Sequence, residues 1–190
     1  MFPPTRAAEL EPADNESERD PSKIFVVHGR DERPVEVIRQ FVLFLGLHMM
    51  PWSEAVGLTS ESQPHTYDVV HAGITHAAAT IVIFSPDDLG RVKDEFSALG
   101  DPERIPSGQA RQNVLLEAGM AFAMARDRTI FVKSARTRDI SDIAGFNWVK
   151  LDGSWDSRKD LKGRLAKLST AVRSGDYDLR DALAGPFRID

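Results

Sequence analysis

The stretch ATIVIFS, residues 79–85, decides the fold, because it is a run of almost unbroken apolar and β-branched side chains. Strands that are buried on both faces have this continuous pattern, whereas half-exposed strands alternate apolar and polar side chains. Pro86, Asp87 and Asp88 follow at once, and these residue types favour turns. The stretch therefore predicts a central strand in a sheet that is covered on both sides.

Similar short apolar runs lie on both sides of this stretch and alternate with segments of helical spacing. Before the central strand, the sequence predicts a strand at Lys23–His28, a helix from Pro34 to Leu45 that stops at Gly46, a short strand at His48–Trp52, a polar loop with Gly57 and a helix at Tyr67–His76. After the central strand, it predicts a long surface loop at 90–108 with about one helical turn, a helix at Arg111–Ala125 and strands at Arg128–Lys133 and Trp148–Leu151. A last helix carries Leu161, Leu165, Leu168 and Val172. This alternation predicts an α/β fold of the flavodoxin-like kind, with three layers and a five-stranded parallel sheet flanked by helices.

Composition limits the domain organisation and the classes of partner. With 190 residues the chain is long enough for one substantial core. Residues 1–22 hold six acids and two arginines, contributing −4 of the formal net charge of −5, and are predicted to be a disordered leader. Residues 23–173 are predicted to form the domain. Residues 174–190 are predicted to be an extension that docks on the core through Leu179, Leu183 and Phe187.

The nearly neutral domain has no basic surplus, so direct nucleic-acid binding is not expected. The sequence has no cysteine, no apolar run that would span a membrane and no signal-peptide pattern. A cytoplasmic protein without a membrane association is the expectation. His71 and His76 lie five residues apart and so on different helix faces, and no metal site is predicted.

Glu117 is the lone carboxylate of the otherwise apolar helix RQNVLLEAGMAFAMA, residues 111–125. Removing an unpaired carboxylate from water is costly, so such a group is usually paired, protonated or directed into a polar cleft. One interpretation is structural: Glu117 pairs with Arg111 or Arg126, or the helix end leaves it solvated. The other is that Glu117 is the acidic group of a binding cleft.

Ligands of open α/β sheets bind at the carboxyl ends of the strands, where the strand order reverses. The turns after the first and third strands, His28–Asp31 and Ser85–Asp88, are therefore the expected edge of the site. The glycine patterns of dinucleotide-binding and P-loop proteins are absent, and Ser85 does not lie in a nucleophile elbow. Ordinary dehydrogenases, kinases and serine hydrolases are thus disfavoured.

The order of three segments resembles one family, the bacterial TIR-like nucleotide-binding domains. They are the strand that ends in HGRD at residues 28–31, the SPDD turn at residues 85–88, and RQNVLLEAG at residues 111–119. A fourth segment, ISDIAG at residues 140–145, is similar to a late segment of the family. The resemblance implies an NAD+ glycohydrolase that acts as an antiphage effector, with NAD+ as substrate and no cofactor. It also implies activation by self-association into a homo-oligomer or filament, with a possible separate sensor subunit.

By position, the family's catalytic glutamate is Glu117. A carboxylate there could stabilise the ribosyl oxocarbenium ion, bind the ribose hydroxyls or form a covalent intermediate. Plant and animal TIR proteins often have tryptophan four residues before this glutamate, and here that position is Asn113, which could cap the helix or orient Glu117 or the ribose.

The other candidate substrate-binding residues each have a structural alternative. Gly29 permits close backbone approach, Arg30 could contact phosphate, and Asp31 could bind ribose or cap the next helix. Asp87 and Asp88 could bind ribose or only shape the turn, and Arg111 could contact the diphosphate or pair with an acid. The full candidate set is His28, Gly29, Arg30, Asp31, Ser85, Asp87, Asp88, Arg111 and Asn113. Weaker candidates are Trp52, which could stack on a base or belong to the core, and Asp142.

Two other functions fit the same features. A nucleoside deoxyribosyltransferase-like enzyme would share the sheet, the acidic catalytic group and chemistry at an anomeric carbon. A non-catalytic TIR adaptor would use its loops and helices for assembly, and Glu117 would be structural.

Overall fold

A computed structural model describes residues 19–134, 136–143 and 145–189, and of Asp142 only the backbone. Five strands form the main sheet: β1 (Asp20–Val27), β2 (His48–Met49), β3 (Ala77–Phe84), β6 (Thr129–Lys133) and β7 (Val149–Lys150). Two more, β4 (Asp88–Gly90) and β5 (Ser107–Gln109), pair with each other. The helices are α1 (Glu32–Phe44), α2 (Trp52–Gly57), α3 (Thr66–His76), α4 (Gln112–Met124) and α5 (Trp155–Leu168).

The main sheet is parallel throughout, with the order β2-β1-β3-β6-β7. Its order reverses between β1 and β3, as in flavodoxin-like sheets, and the fold prediction is confirmed. All eight residues of β3 are buried, which explains the unbroken apolar run from which the fold was predicted.

Helices cover both faces of the sheet. Val35 and Ile38 of α1 pack on one face with Leu161 and Leu165 of α5. Side chains of α2, α3 and α4 pack on the other face around Phe84 and Phe131 of the sheet. Within the described residues, no helix has the length and apolar character needed to cross a membrane.

Trp52 begins a helix, so the prediction of a strand through Trp52 and a polar loop after it is wrong. β2 ends at Met49, Pro51 supplies the extended residue before α2, and α2 runs through Gly57. A proline before the first turn suits a helix start, because its fixed φ and missing N–H cost nothing there. Trp52 is 50% exposed, so the interpretation that it belongs to the core is wrong as well.

The segment between β3 and α4 is more ordered than the predicted long loop. β4 and β5 form an antiparallel ribbon that closes its two ends, with Leu89 opposite Gly108. Short 3-10 turns at 94–96 and 102–104 lie between them, where one helical turn was predicted. Strands of three residues are too short to show a periodic pattern, so the sequence did not indicate this ribbon.

The C-terminal residues pack against α1 and α5. Leu179 and Phe187 are buried, and the Phe187 ring meets the Phe41 ring edge-on at 4.7 Å, whereas Leu183 is 78% exposed, contrary to its predicted docking. Arg158 of α5 donates hydrogen bonds to the carbonyl oxygens of Leu179 and Gly185, at 2.9 and 2.8 Å. Since α5 ends at Leu168, Val172 lies beyond the helix, contrary to the prediction that the last helix carries it. The division at residues 22 and 173 stays a prediction.

Candidate functional site

The turn after β1 places His28 and Gly29 at the carboxyl edge of the sheet, beside the start of α1. The His28 Nδ1 atom lies 2.9 Å from the Gly29 carbonyl oxygen. Because a carbonyl oxygen only accepts, this contact is a hydrogen bond when Nδ1 carries the proton. In the neutral ring, Nε2 is then an acceptor that is left for another group.

Asp31 is the N-cap of α1, as one of its two interpretations predicted. Its Oδ1 accepts from the Arg33 backbone N–H at 3.0 Å, and its Oδ2 lies 2.7 Å from the Arg33 guanidinium. The hydrogen bond from the Arg33 side chain is the main reason why the pKa of Asp31 is lowered. Both oxygens of the Asp31 carboxylate therefore bind Arg33 at the start of α1.

Asp87 joins the turn after β3 to the turn after β1. Its Oδ2 accepts from the backbone N–H of Arg30 and, at 3.2 Å, from that of Asp31, while the Asp87 N–H donates to the Ser85 carbonyl at 2.9 Å. A Cβ atom at Gly29 would lie 2.0 Å from Asp87 Oδ2, so only glycine leaves room for this contact.

The second oxygen of Asp87, Oδ1, is buried and has no hydrogen-bond partner among the described residues. Burying an acceptor without a donor costs free energy. The hydrogen bonds that Oδ2 accepts must offset this cost and hold the carboxylate in place. The geometry indicates that Asp87 fixes the relative position of the two turns.

Glu117 lies at the border of the packed face of α4. Val114, Ala118 and Ala121 of this helix are buried against the sheet, whereas the Glu117 side chain is half-buried. It has no hydrogen bond to another described residue. Burial raises the pKa of the Glu117 carboxyl above its ordinary value, and the nearby charge of His28 opposes that rise.

The two arginines that were alternative partners of Glu117 are engaged elsewhere. Arg111 Nη1 lies 3.8 Å from Asp88 Oδ1, and the Arg126 guanidinium lies over the Phe122 ring, 5.0 Å from its centroid. The ion pair with Arg111 or Arg126, which was one part of the structural interpretation of Glu117, is therefore absent from the described residues. The charge that acts on Glu117 is instead that of His28, which follows β1, the strand beside which the strand order reverses.

The remaining candidates occupy different environments. Asn113 is exposed and does not cap α4, since Arg111 is the N-cap residue and no side-chain hydrogen bond caps this helix. Arg111 and Asp88 form the ion pair that was one interpretation of Arg111. Ser85 is buried and the Arg30 side chain is exposed. The Asp142 side chain lies outside the described residues.

A cavity of about 300 Å³ lies at the carboxyl ends of β6 and β7. Its lining residues are Lys133, Ser134, Lys150, Leu151 and Asp152. None of them is among the site residues predicted from the sequence, although a lysine at the end of each of two neighbouring strands was a visible signal. No cluster of three or more potential metal ligands occurs in the part of the chain that the structure describes.

Comparison with known proteins supports the family resemblance. The sequence model of the family described as "CAP12/Pycsar effector protein, TIR domain" matches residues 23–153. A curated relative, an uncharacterized protein of Escherichia coli (strain K12) called YuaY, is 30% identical over 148 residues, which are 76% of this chain and 44% of that protein. The chain thus spans less than half the length of this relative.

Proposed function

The chain belongs to the family of CAP12/Pycsar effector TIR domains, and from this premise we propose that it is an NAD+ glycohydrolase. The reaction breaks the bond between the nicotinamide nitrogen and the ribosyl anomeric carbon. Water supplies the hydroxyl group in the linear product, ADP-ribose, and a hydroxyl of the same molecule supplies the oxygen in a cyclic product. In both cases nicotinamide leaves with the bonding electron pair.

The observation that carries this proposal is the environment of Glu117. Loss of nicotinamide leaves positive charge on the ribosyl ring, and a carboxylate at this position stabilises that charge. Glu117 is half-buried, unpaired and beside His28, so its charge is less screened than that of a surface acid. Its ionised form is the active one in this mechanism.

The surrounding turns provide further contacts for the substrate. With Nδ1 donating to the Gly29 carbonyl, the Nε2 atom of His28 is left to contact a ribose hydroxyl or water. Arg111 is only loosely paired with Asp88, at 3.8 Å, so its guanidinium can exchange that partner for a phosphate. Asp87 and Asp31 act through the backbone in this proposal and hold the turns that carry His28.

The proposed enzyme needs no cofactor, since NAD+ is the substrate and the carboxylate supplies the electrostatic stabilisation. We place it in the cytoplasm, where NAD+ is available. As an effector it would be activated by self-association, with a sensor subunit supplying the signal.

The experiment is proton NMR of NAD+ incubated with the chain at high protein concentration, so that self-association is not limiting. The proposal expects free nicotinamide and ADP-ribose or its cyclic form. A parallel incubation with a deoxynucleoside and a second free base tests for base exchange. NAD+ that stays intact at every protein concentration contradicts the proposal and favours the adaptor, and base exchange without nicotinamide release favours a deoxyribosyltransferase.

A further inference from the structure

Two lysines lie side by side at the carboxyl edge of the sheet. Lys133, the last residue of β6, pairs in register with Lys150, the last residue of β7. Side chains alternate along a strand, so Lys133 is on the same face as Phe131, which packs with the α4 residue Val114. The Lys133 Nζ atom lies 6.0 Å from the centroid of the Trp148 ring, which belongs to the same cluster. Both lysines thus end on the face that carries α4 and Glu117.

The pair carries positive charge that the protein compensates only in part. Like charges directly opposite each other on neighbouring strands are destabilising, so the two lysines require neighbouring negative charge or a bound anion to offset their repulsion. Lys133 pairs with Asp139, whose side chain is 82% exposed, so solvent screens this ion pair from the Asp139 side although Lys133 itself is largely buried. Lys150 forms no ion pair within the described residues.

The lysines line the cavity of about 300 Å³ together with Ser134 and Asp152. Asp152 is the acid of this cavity, and its Oδ1 already accepts from the Ser154 backbone N–H at 2.9 Å. The Ser134 hydroxyl lies 3.0 Å from that of Thr137. The lining side chains carry the positive charges of the two lysines against the single negative charge of Asp152, so the cavity is cationic on balance, and a phosphoryl group is the ligand chemistry that fits it.

Strand order relates this cavity to Glu117. Along the sheet, β1 is followed by β3, β6 and β7, and neighbouring strands are about 4.8 Å apart. Lys133 is therefore about 10 Å across the sheet from β1, the strand that precedes His28, and Lys150 about 14 Å. A substrate whose anomeric carbon lies at Glu117 and His28 can place a 5′-diphosphate along this edge.

We propose that Lys133 and Lys150 form a phosphate subsite that binds the diphosphate of the dinucleotide substrate. The orientation follows: the nicotinamide ribosyl group lies at the β1 and β3 turns, and the adenylate half lies toward β7. The orientation rests on the proposed function, whereas binding of a diphosphate to the two lysines does not.

The test is the binding of ADP-ribose, a diphosphate product that is not cleaved, by isothermal titration calorimetry with the full chain. We expect Lys150→Gln and Lys133→Gln each to weaken binding about tenfold at low salt, the loss of one charged contact, and Lys150→Arg to retain it. Lys167→Gln is the matched control, because this exposed lysine lies on α5 and outside the cavity. Circular dichroism establishes that each variant is folded.

Kinetics provide a second measurement. For NAD+, both glutamine variants should raise KM with little change in kcat, and for nicotinamide riboside, which has no phosphate, KM should not change. Wild-type affinity for ADP-ribose in Lys150→Gln and Lys133→Gln overturns the subsite, as does the absence of ADP-ribose binding to the wild type. Lysine-dependent ADP-ribose binding without nicotinamide release keeps the subsite and rejects the proposed function, so the two failures are distinguishable.

Discussion

Replacing Gly29 with alanine tests the contact that joins the two turns of the site. The new methyl carbon would lie 2.0 Å from Asp87 Oδ2 and 2.7 Å from Asp87 Cγ, far inside the usual separation of non-bonded atoms. Gly29 is not among the glycines with positive φ, so alanine fits the backbone conformation and the conflict is with the Asp87 side chain. Asp87 must withdraw by about 1.5 Å to restore ordinary contact distances.

That withdrawal removes the hydrogen bonds that Asp87 Oδ2 accepts from the N–H groups of Arg30 and Asp31. Hydrogen bonds to charged groups contribute about 1.5–3 kcal/mol and overpacking costs about 1–3 kcal/mol. We expect Gly29→Ala to lower the free energy of unfolding by about 2–3 kcal/mol. Urea denaturation followed by circular dichroism measures it.

Two variants make this prediction specific. Gly163→Ala in α5 is the matched control, since no atom lies within 4 Å of its added Cβ and alanine in a helix should stabilise by up to about 1 kcal/mol. In an Asp87→Ala background, the Gly29→Ala change should lose most of its effect, because the clashing carboxylate is gone. A loss of stability that persists in full in that background would refute the reasoning.

Three further predictions concern Glu117 and Arg158. Burial raises the pKa of Glu117, so ionisation of this carboxyl destabilises the folded chain as the pH rises through that pKa. Below the pKa of an unfolded glutamate the carboxyl is protonated in both states, and this loss of stability is absent. Thermal melts should therefore show a higher Tm for Glu117→Gln than for the wild type at pH 7.5 and no gain at pH 4. The raised pKa also predicts the pH dependence of catalysis: the rate of nicotinamide release should fall on acidification, with a midpoint above the ordinary glutamate pKa of about 4.3. A rate that stays constant from pH 7 down to that value would contradict this prediction. Arg158→Met should destabilise by about 2–4 kcal/mol in urea titrations, because it leaves the buried Leu179 carbonyl and the part-buried Gly185 carbonyl without their donor. Arg158→Lys, which lacks the fork geometry, should recover only part of the loss, and full recovery would show that the charge alone suffices.

The sheet was predictable because its signal is local. β1, β3 and β6 each carry their own apolar run, whereas β2 and β7 have only two residues each. The helices between the strands carry their own spacing, so order along the chain sets the topology. The elements that were missed are short: α2 has six residues and each strand of the β4–β5 ribbon has three. Their conformation depends on neighbouring elements rather than on a periodic pattern.

The candidate site was predictable only where a single residue was anomalous. Glu117 was such a residue, since a carboxylate in an apolar helix stands out in any sequence. The contact between Asp87 and the Arg30 N–H joins residues 57 positions apart, and the choice between turn chemistry and ligand binding depends on that contact. The role of Asn113 was likewise undecided until the start of α4 was placed at Gln112.

The rate of nicotinamide release by Glu117→Gln, at the concentration at which the wild type is active, tests the central claim most directly. Glutamine keeps the size and hydrogen-bonding capacity of the side chain and removes the negative charge that stabilises the ribosyl cation. We predict a loss of at least about 100-fold, the scale seen when one preorganised stabilising group is removed, in a protein that melts no lower than the wild type. A folded Glu117→Gln protein that releases nicotinamide at the wild-type rate would contradict the account.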